Sequence, residues 1–329
     1  MAWAFLINTL GTYTLSAIIT KVTGQTTLEY LKPRLFEPLG IENPQWDSSP
    51  EGNSLGGYGL KLRTEDIAKF GQLYLQRGEW QGRRLIPAAW IDQATARQTA
   101  NGSNPDSDWD QGYGFQFWRC RHDFYRGDGA FGQFCIVMPQ YDTVVAITSG
   151  TGDMGSVMAT LWDRLLPELR PAPLPDDVAA QAHLKDRLSK LVLPTVAGAA
   201  TSPLAAKVSG RVYSFPANEA GIESVALETA AGGGTVARLK IHGTENRLPG
   251  GHGAWLKGEF ALTPGAVSPA ATSGAWTADD TFVIKICRYQ TPFVSTTRLT
   301  FAGDDVNLEM AQNVAFGPNP AVKLTGHAK

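Results

Sequence analysis

From Val208 onward the chain is a succession of short β-type runs, and this pattern constrains the fold more than any other feature. The runs are Arg211–Phe215, Ser224–Glu228, Val236–His242, Trp255–Phe260, Thr281–Arg288, Val294–Phe301 and Val306–Met310. Gly, Asn and Asp turns separate them, including Gly232-Gly-Gly234 and Gly303-Asp-Asp305. Strands this short and this closely spaced leave no room for crossover helices. They imply an antiparallel barrel or sandwich. No repeat of fixed period is present.

The first 170 residues follow a different rhythm. Leu15, Ile18, Ile19 and Val22 fall on one face of a helix, and Gly24 is a C-terminal stop. Thr26-Thr-Leu-Glu29 reads as a capping box opening a second helix, with Leu28, Leu31 and Leu35 on its apolar side and Pro33 as a kink. Residues 42–60 are loop-like. Thr64 is expected to cap a helix whose buried stripe is Ile67, Phe70, Gly71 and Tyr74, stopped by Gly78. Pro87 is placed at the first position of a helix over 88–97. Strands are expected at Tyr113–Trp118, Phe134–Met138 and Thr143–Thr148, the last two joined by a Pro139-Gln-Tyr-Asp142 hairpin. A helix over 155–166 follows. Short turns between the strands argue for an antiparallel sheet rather than βαβ units.

Length and this change of rhythm give two domains: 1–170, then a Pro-rich linker with one helix at 176–191 (171–205), then a β-rich domain at 206–329. The net charge of −2 gives no electrostatic case for nucleic acid or an anionic membrane. Cys120, Cys135 and Cys287 have no metal-site spacing and are too few for a disulfide framework, although Cys120 and Cys135 could face each other across two strands. The apolar start lacks a basic residue before Lys21, which favours a core segment over a secretory signal. No apolar run reaches the ~18 residues of a membrane span. The compartment stays open.

Several segments together resemble the β-lactamase-related, penicillin-binding-protein-like serine hydrolases. They are Tyr13–Gly24, Tyr30–Ile41, Gly56–Gly71, Gly78–Trp90 and Asp128–Pro139. The resemblance runs from about Phe5 to Leu169, and the tail is similar to the extension some members carry. It implies an α/β (α+β) fold, an antiparallel sheet flanked by helices with an incomplete helical part, followed by an all-β barrel-like domain. It also implies amide or ester hydrolysis through an acyl-enzyme. There, the Ser of S-x-x-K attacks, its Lys and the Tyr of Y-x-N or Y-x-S handle the proton, and a K-T-G-like strand supplies part of the oxyanion hole. No cofactor is called for.

No Ser in the chain has a Lys three residues on. The Tyr motif should fall in Phe5–Thr9, but its Tyr position is Ile7, which cannot move a proton, followed by Asn8 and Thr9. The third motif is Arg126-Gly-Asp-Gly-Ala-Phe-Gly132. The resemblance places Gly127, Asp128, Gly129 and Gly132 along a cleft and makes the Ala130 N–H an oxyanion donor. Asp-Gly by itself reads more readily as a hairpin turn, and only the surrounding resemblance makes a cleft lining an equal reading.

Other residues carry bland readings. Tyr13 and Tyr125 are expected to pack, His122 to be a surface or packed residue, and the loop with Asp106, Asp108 and Asp110 to be solvated, since it lacks the Gly and Glu of a calcium loop.

The expectation is therefore a serine hydrolase of this family that is inactive as this chain. The alternative is a non-catalytic module binding a peptide or glycan. Missing helical cover should leave Leu15, Ile18 and Ile19 exposed and promote self-association.

Overall fold

The computed structural model describes residues 9–170, 172, 174–230 and 234–329. Packing divides the chain into two units, Met1–Ser149 with Asp153–Leu174, and Gly150–Gly152 with Pro175–Lys329.

The first unit is built on a four-stranded antiparallel sheet. Its helices are α1 (Thr9–Thr23), α2 (Thr27–Leu31), α3 (Thr64–Leu75), α4 (Ala88–Thr95) and α5 (Met154–Thr160). Its strands are β1 (Trp118–Arg119), β2 (Tyr125–Gly129), β3 (Gln133–Met138) and β4 (Thr143–Ile147), in that spatial order. Two cores follow from the alternation of β3. Phe134, Ile136 and Met138 face Met158 and Trp162, while Val137 joins Tyr74, Ile91, Ala94, Phe117 and Tyr125 beneath α3 and α4. Gly71 lets α3 come close. A Cβ there would sit 2.5 Å from Val144 Cγ1 and 2.8 Å from Cys135 Sγ.

The capping box is present: Thr26 accepts from the Glu29 N–H and Glu29 accepts from the Thr26 N–H. After α2 the chain widens into a π-helical turn at Lys32–Phe36, where Pro33 has no N–H to give. Thr64 is not a cap. Arg63 holds that position without a side-chain bond, and the Thr64 hydroxyl meets that of Thr148. Pro87 precedes α4 rather than opening it. The expected strand at Tyr113–Trp118 reduces to β1. Gln116 takes φ +64° and the Gly114 N–H bonds to Phe117 O, so the segment turns back on itself.

The first helix has inverted polarity. Its one fully buried residue is Ser16, whose hydroxyl lies 2.7 Å from Thr27 Oγ1 and donates to Ser54 O at 2.7 Å. Gly56 passes so close that a Cβ would lie 2.2 Å from Thr12 O. On the other side Leu15, Ile18 and Val22 are 54%, 50% and 78% exposed. Ile19, expected to be bare with them, is half-buried. Tyr13 is not a core aromatic. Its hydroxyl anchors the 42–60 loop, donating to Ser49 and Glu51 and accepting from Asn53.

The second unit opens with α6 (Val178–Ser189). Ten strands follow: β5 (Val212–Ser214), β6 (Ile222–Thr229), β7 (Thr235–Ile241), β8 (Thr244–Gly250), β9 (Leu256–Ala261), β10 (Val267–Ala278), β11 (Thr281–Cys287), β12 (Val294–Ala302), β13 (Asp305–Gln312) and β14 (Val322–Ala328). They form one antiparallel sheet in the order β8-β7-β6-β5-β14-β13-β12-β11-β10-β9, around a core that includes Tyr213, Trp276, Phe282, Leu299, Phe301 and Leu308. Gly232 and Gly233 lie outside the described residues.

The sheet is nearly closed, which decides for a barrel. Its edge strands β8 and β9 are joined by one side chain. Buried Asn246 accepts the Ala261 N–H at 2.7 Å and donates to Ala261 O at 2.9 Å, as a backbone amide would. Thr272 adds a bond from its hydroxyl to Pro249 O at 2.5 Å.

All three cysteines are free and buried. Cys135 stands opposite Gly127, and Cys120 accepts a bond from Arg126, so the two thiols do not face each other.

Asn246→Leu leaves the Ala261 amide without its partners. It should cost about 1–3 kcal/mol and lower the midpoint of barrel unfolding by roughly 3–8 °C, read by calorimetry. The α1 stripe gives a second expectation. Leu15→Glu combined with Ile18→Lys should raise solubility and reduce light scattering while leaving the melting temperature unchanged. A melting temperature lowered by the pair would show that the face is covered.

Candidate functional site

The third-motif residues form one hairpin. Strand β2 carries Gly127, Asp128 and Gly129, Ala130 and Phe131 make the turn, and Gly132 leads into β3, with Gly129 opposite Gln133. Phe131 at φ +65° and Gly132 at φ +86° turn the chain in the left-handed region. Ala130 is exposed at the tip.

On its outer side β2 is only partly covered. Strand β1 pairs with Tyr125 and Arg126 alone, so Gly127–Gly129 has no strand neighbour there among the described residues. The backbone running into Ala130 is therefore an open edge.

The side chains of β2 divide by face. Arg126 has no exposure to water. Its Nε donates to Asp128 Oδ2 at 2.9 Å, its Nη2 lies 2.8 Å from the same oxygen, and its Nη1 donates to Asp108 O at 2.9 Å and to Cys120 Sγ at 3.1 Å. The rings of Trp109 and Trp118 lie 4.9 and 5.5 Å from the guanidinium carbon. Asp128 also accepts from Trp109 Nε1 at 3.1 Å. Burial pushes the Asp128 carboxyl above its ordinary range, with Arg126 opposing the shift. Asp128 is thus half of a buried ion pair and offers no free carboxylate to a ligand.

Tyr125, Gly127 and Gly129 take the opposite parity. Tyr125 is buried against Tyr74 and Phe117, and burial pushes its phenol well above the usual range. The Tyr74 phenol is pushed up to about 12 by burial. Neither phenol is a base near neutral pH. A Cβ at Gly129 would stand 3.0 Å from Gln133 Cβ, a tight contact that favours glycine at that position.

Two residues that no motif flagged hold the turn. Gln133 Nε2 donates to Ser149 O at 2.6 Å and to Ala130 O at 3.2 Å. The Ser149 hydroxyl lies 2.9 Å from both Phe131 O and Gly132 O, which accept from it. They stand 16 positions apart and meet only because β3 and β4 pair, so local sequence gives no signal for them. Ser149 is bonded here to carbonyls and not to a base.

Thr9 opens α1 and faces Gly57, and no hydrogen bond joins it to residues 127–132 among the described residues. Ile7 and Asn8 lie outside the described residues. His122 is exposed at φ +62° with its ring 5.3 Å from that of Trp162. The acidic loop is a correction. Asp108 is buried rather than solvated, accepting from Trp162 Nε1 at 2.8 Å and from Arg121 N and Nε at 3.1 and 3.2 Å.

The beta-lactamase family profile matches residues 8–167. "Penicillin-binding protein 4" of Amycolatopsis lactamdurans is 27% identical over 206 residues, covering 51% of this chain and 53% of that protein. The chain thus spans about half the length of this curated relative. Among solved structures, a Bacillus anthracis protein assigned as a 6-aminohexanoate-dimer hydrolase superposes with a TM-score of 0.44 at 24% identity, over 52% of this chain and 46% of that one. The octameric penicillin-binding protein homologue of Pyrococcus abyssi gives a TM-score of 0.35 at 16% identity, over 98% and 65%. Residues 8–167 accordingly match the beta-lactamase family and are similar to part of a penicillin-binding protein, and a β-rich barrel-like sheet follows them.

Proposed function

We propose that residues 8–167 supply the oxyanion side of an acyl-transfer site and that this chain does not itself form an acyl-enzyme. The open edge of β2 running into the exposed Ala130 turn carries the reading. A backbone N–H at the end of an uncovered strand, held by Gln133 and Ser149, is a preorganised donor for a developing oxyanion. Gly127, Gly129 and Gly132 line the approach, with Asp128 serving it from behind by neutralising Arg126. Asn8 and Thr9 belong to the same site only by their place in the family pattern.

The reaction class is hydrolysis of an amide or ester. It needs a hydroxyl whose proton a neighbouring base accepts. None of the 329 residues forms the S-x-x-K pair, and the two phenols of the hairpin's own core are pushed out of the useful range. Oxyanion donors alone stabilise a charge that nothing here generates.

A second reading is favoured by the same edge: an extended peptide adds to Gly127–Gly129 as a fifth strand, without turnover. A rise in melting temperature with cell-wall peptides, and no product, would select it. Glycan chains lacking the peptide would serve as the comparison.

The acylation claim is tested with a fluorescent penicillin and a fluorophosphonate, each read by intact-protein mass. The expected result is no adduct after prolonged incubation. Stoichiometric labelling of any serine would falsify the proposal, and mapping the adduct would identify the nucleophile.

A further inference from the structure

Helix α6 is physically out of place as a free element. From Leu174 to Pro194 every described residue is exposed, and no residue of α6 is buried. A helix of 12 residues is marginal in water unless packing supports it. The Asp177 cap, which accepts the Ala180 N–H at 2.8 Å, and the Lys190–Asp186 ion pair at 2.8 Å contribute only part of that support.

The sequence of α6 suits one kind of cover. Ala180, Leu184 and Leu188 repeat every four residues and Leu191 follows three later, which makes one apolar stripe. Leu184, Leu188 and Leu191 are 57%, 55% and 68% exposed. Lys185 and Arg187 flank the stripe, and Lys190 closes the last turn. Asp176 and Asp177 stand at the opposite end. The element carries two acids where it begins and, where it ends, three bases with one acid, Asp186.

We propose that α6 is a self-association surface, and that its occupant is the α6 of a second copy of this chain, running antiparallel. The argument is charge complementarity. Setting Leu184 against the same residue of the second copy places each Ala180 opposite a Leu188, small against large. It also brings Asp176 and Asp177 of each copy beside Arg187 and Lys190 of the other. A two-fold axis satisfies both ends at once. A parallel pair would set like charges side by side. The contact is short, below the about 1,000 Å² of a stable interface, so association is expected in the ~10–100 µM range.

Sedimentation of the full chain across about 1–200 µM tests this. Wild type should show concentration-dependent dimer. Leu184→Lys with Leu188→Lys should abolish it, with circular dichroism and melting temperature showing the barrel intact. Two charge variants make the test specific. One is Asp176→Lys with Asp177→Ser, which keeps a capping oxygen. The other is Arg187→Glu with Lys190→Glu. Each alone should self-associate at least tenfold more weakly than wild type, and an equimolar mixture should recover the dimer, since each end then meets its opposite. A monomeric wild type overturns the proposal. So does a dimer that survives the leucine changes, because it then runs through another face. A mixture that associates no better than its separate components overturns it as well.

Discussion

The first unit depends on a guanidinium sealed from water. Burying Arg126 in an apolar sheet core is costly unless each of its donors finds an acceptor. Asp128 two residues on, the Asp108 carbonyl and the Cys120 sulfur receive Nε and Nη1 between the rings of Trp109 and Trp118, while Nη2 makes no hydrogen bond and faces the Asp128 carboxylate as an ion pair. The pair fixes the parity of β2. With Arg126 and Asp128 turned to one face, Tyr125, Gly127 and Gly129 must turn to the other. A slip of one residue would put the charged pair on the face where Tyr125 and the glycines now pass, among Tyr74, Phe117 and Val137. The register that leads into the Ala130 turn is thus tied to charge burial on one face of the strand.

Asp108 extends the same network to the acidic loop. Its carboxylate collects the Trp162 indole N–H and two donors of Arg121, tying the 100–111 segment to the helical face of the sheet. Spacing of charges in a sequence cannot reveal this, because alternating aspartates look alike whether they meet water or a buried indole. What was legible rested on local rules: the Thr26–Glu29 capping box, the Gly24 and Gly78 stops, and the Pro139–Asp142 connection between β3 and β4. What was not legible rested on distant partners. The helical period of Leu15, Ile18 and Val22 marks an apolar face correctly but not which face is buried. That choice belongs to Ser16, whose hydroxyl partners lie 11 and 38 residues away.

The barrel makes the same point for strands. Seven runs announce themselves through β-branched and aromatic residues. Strands β8, β10 and β14 do not. Pro249 sits within β8, and β10 is built largely of Ala, Ser, Thr and Gly. Strand β10 shows no alternation because both its faces are covered: Trp276 lies in the barrel core, while Val196 packs on Ala275 and the Val196 N–H bonds to Ser273. A sequence reading that finds seven strands cannot choose between barrel and sandwich. The choice turns on how the first and last strands of the sheet meet, where Asn246 supplies two hydrogen bonds and Thr272 and Ser273 add bonds to Pro249 O and Gly251 O.

The candidate site separates two things that catalysis needs together. Holding a turn in place is a task for the fold, and here Gln133 and Ser149 do it through the carbonyls of residues 130–132. Raising the nucleophilicity of a hydroxyl is a task for neighbouring bases, and the phenols near this hairpin are moved away from neutrality by the burial that stabilises the core. On the proposed reading, oriented donors without an activated hydroxyl can bind an anion or an extended chain and stabilise a developing oxyanion, but they do not supply the nucleophile of an acyl-enzyme. The same backbone edge would serve either purpose, so it is the chemistry brought to that edge, and not the edge itself, that decides between hydrolysis and binding.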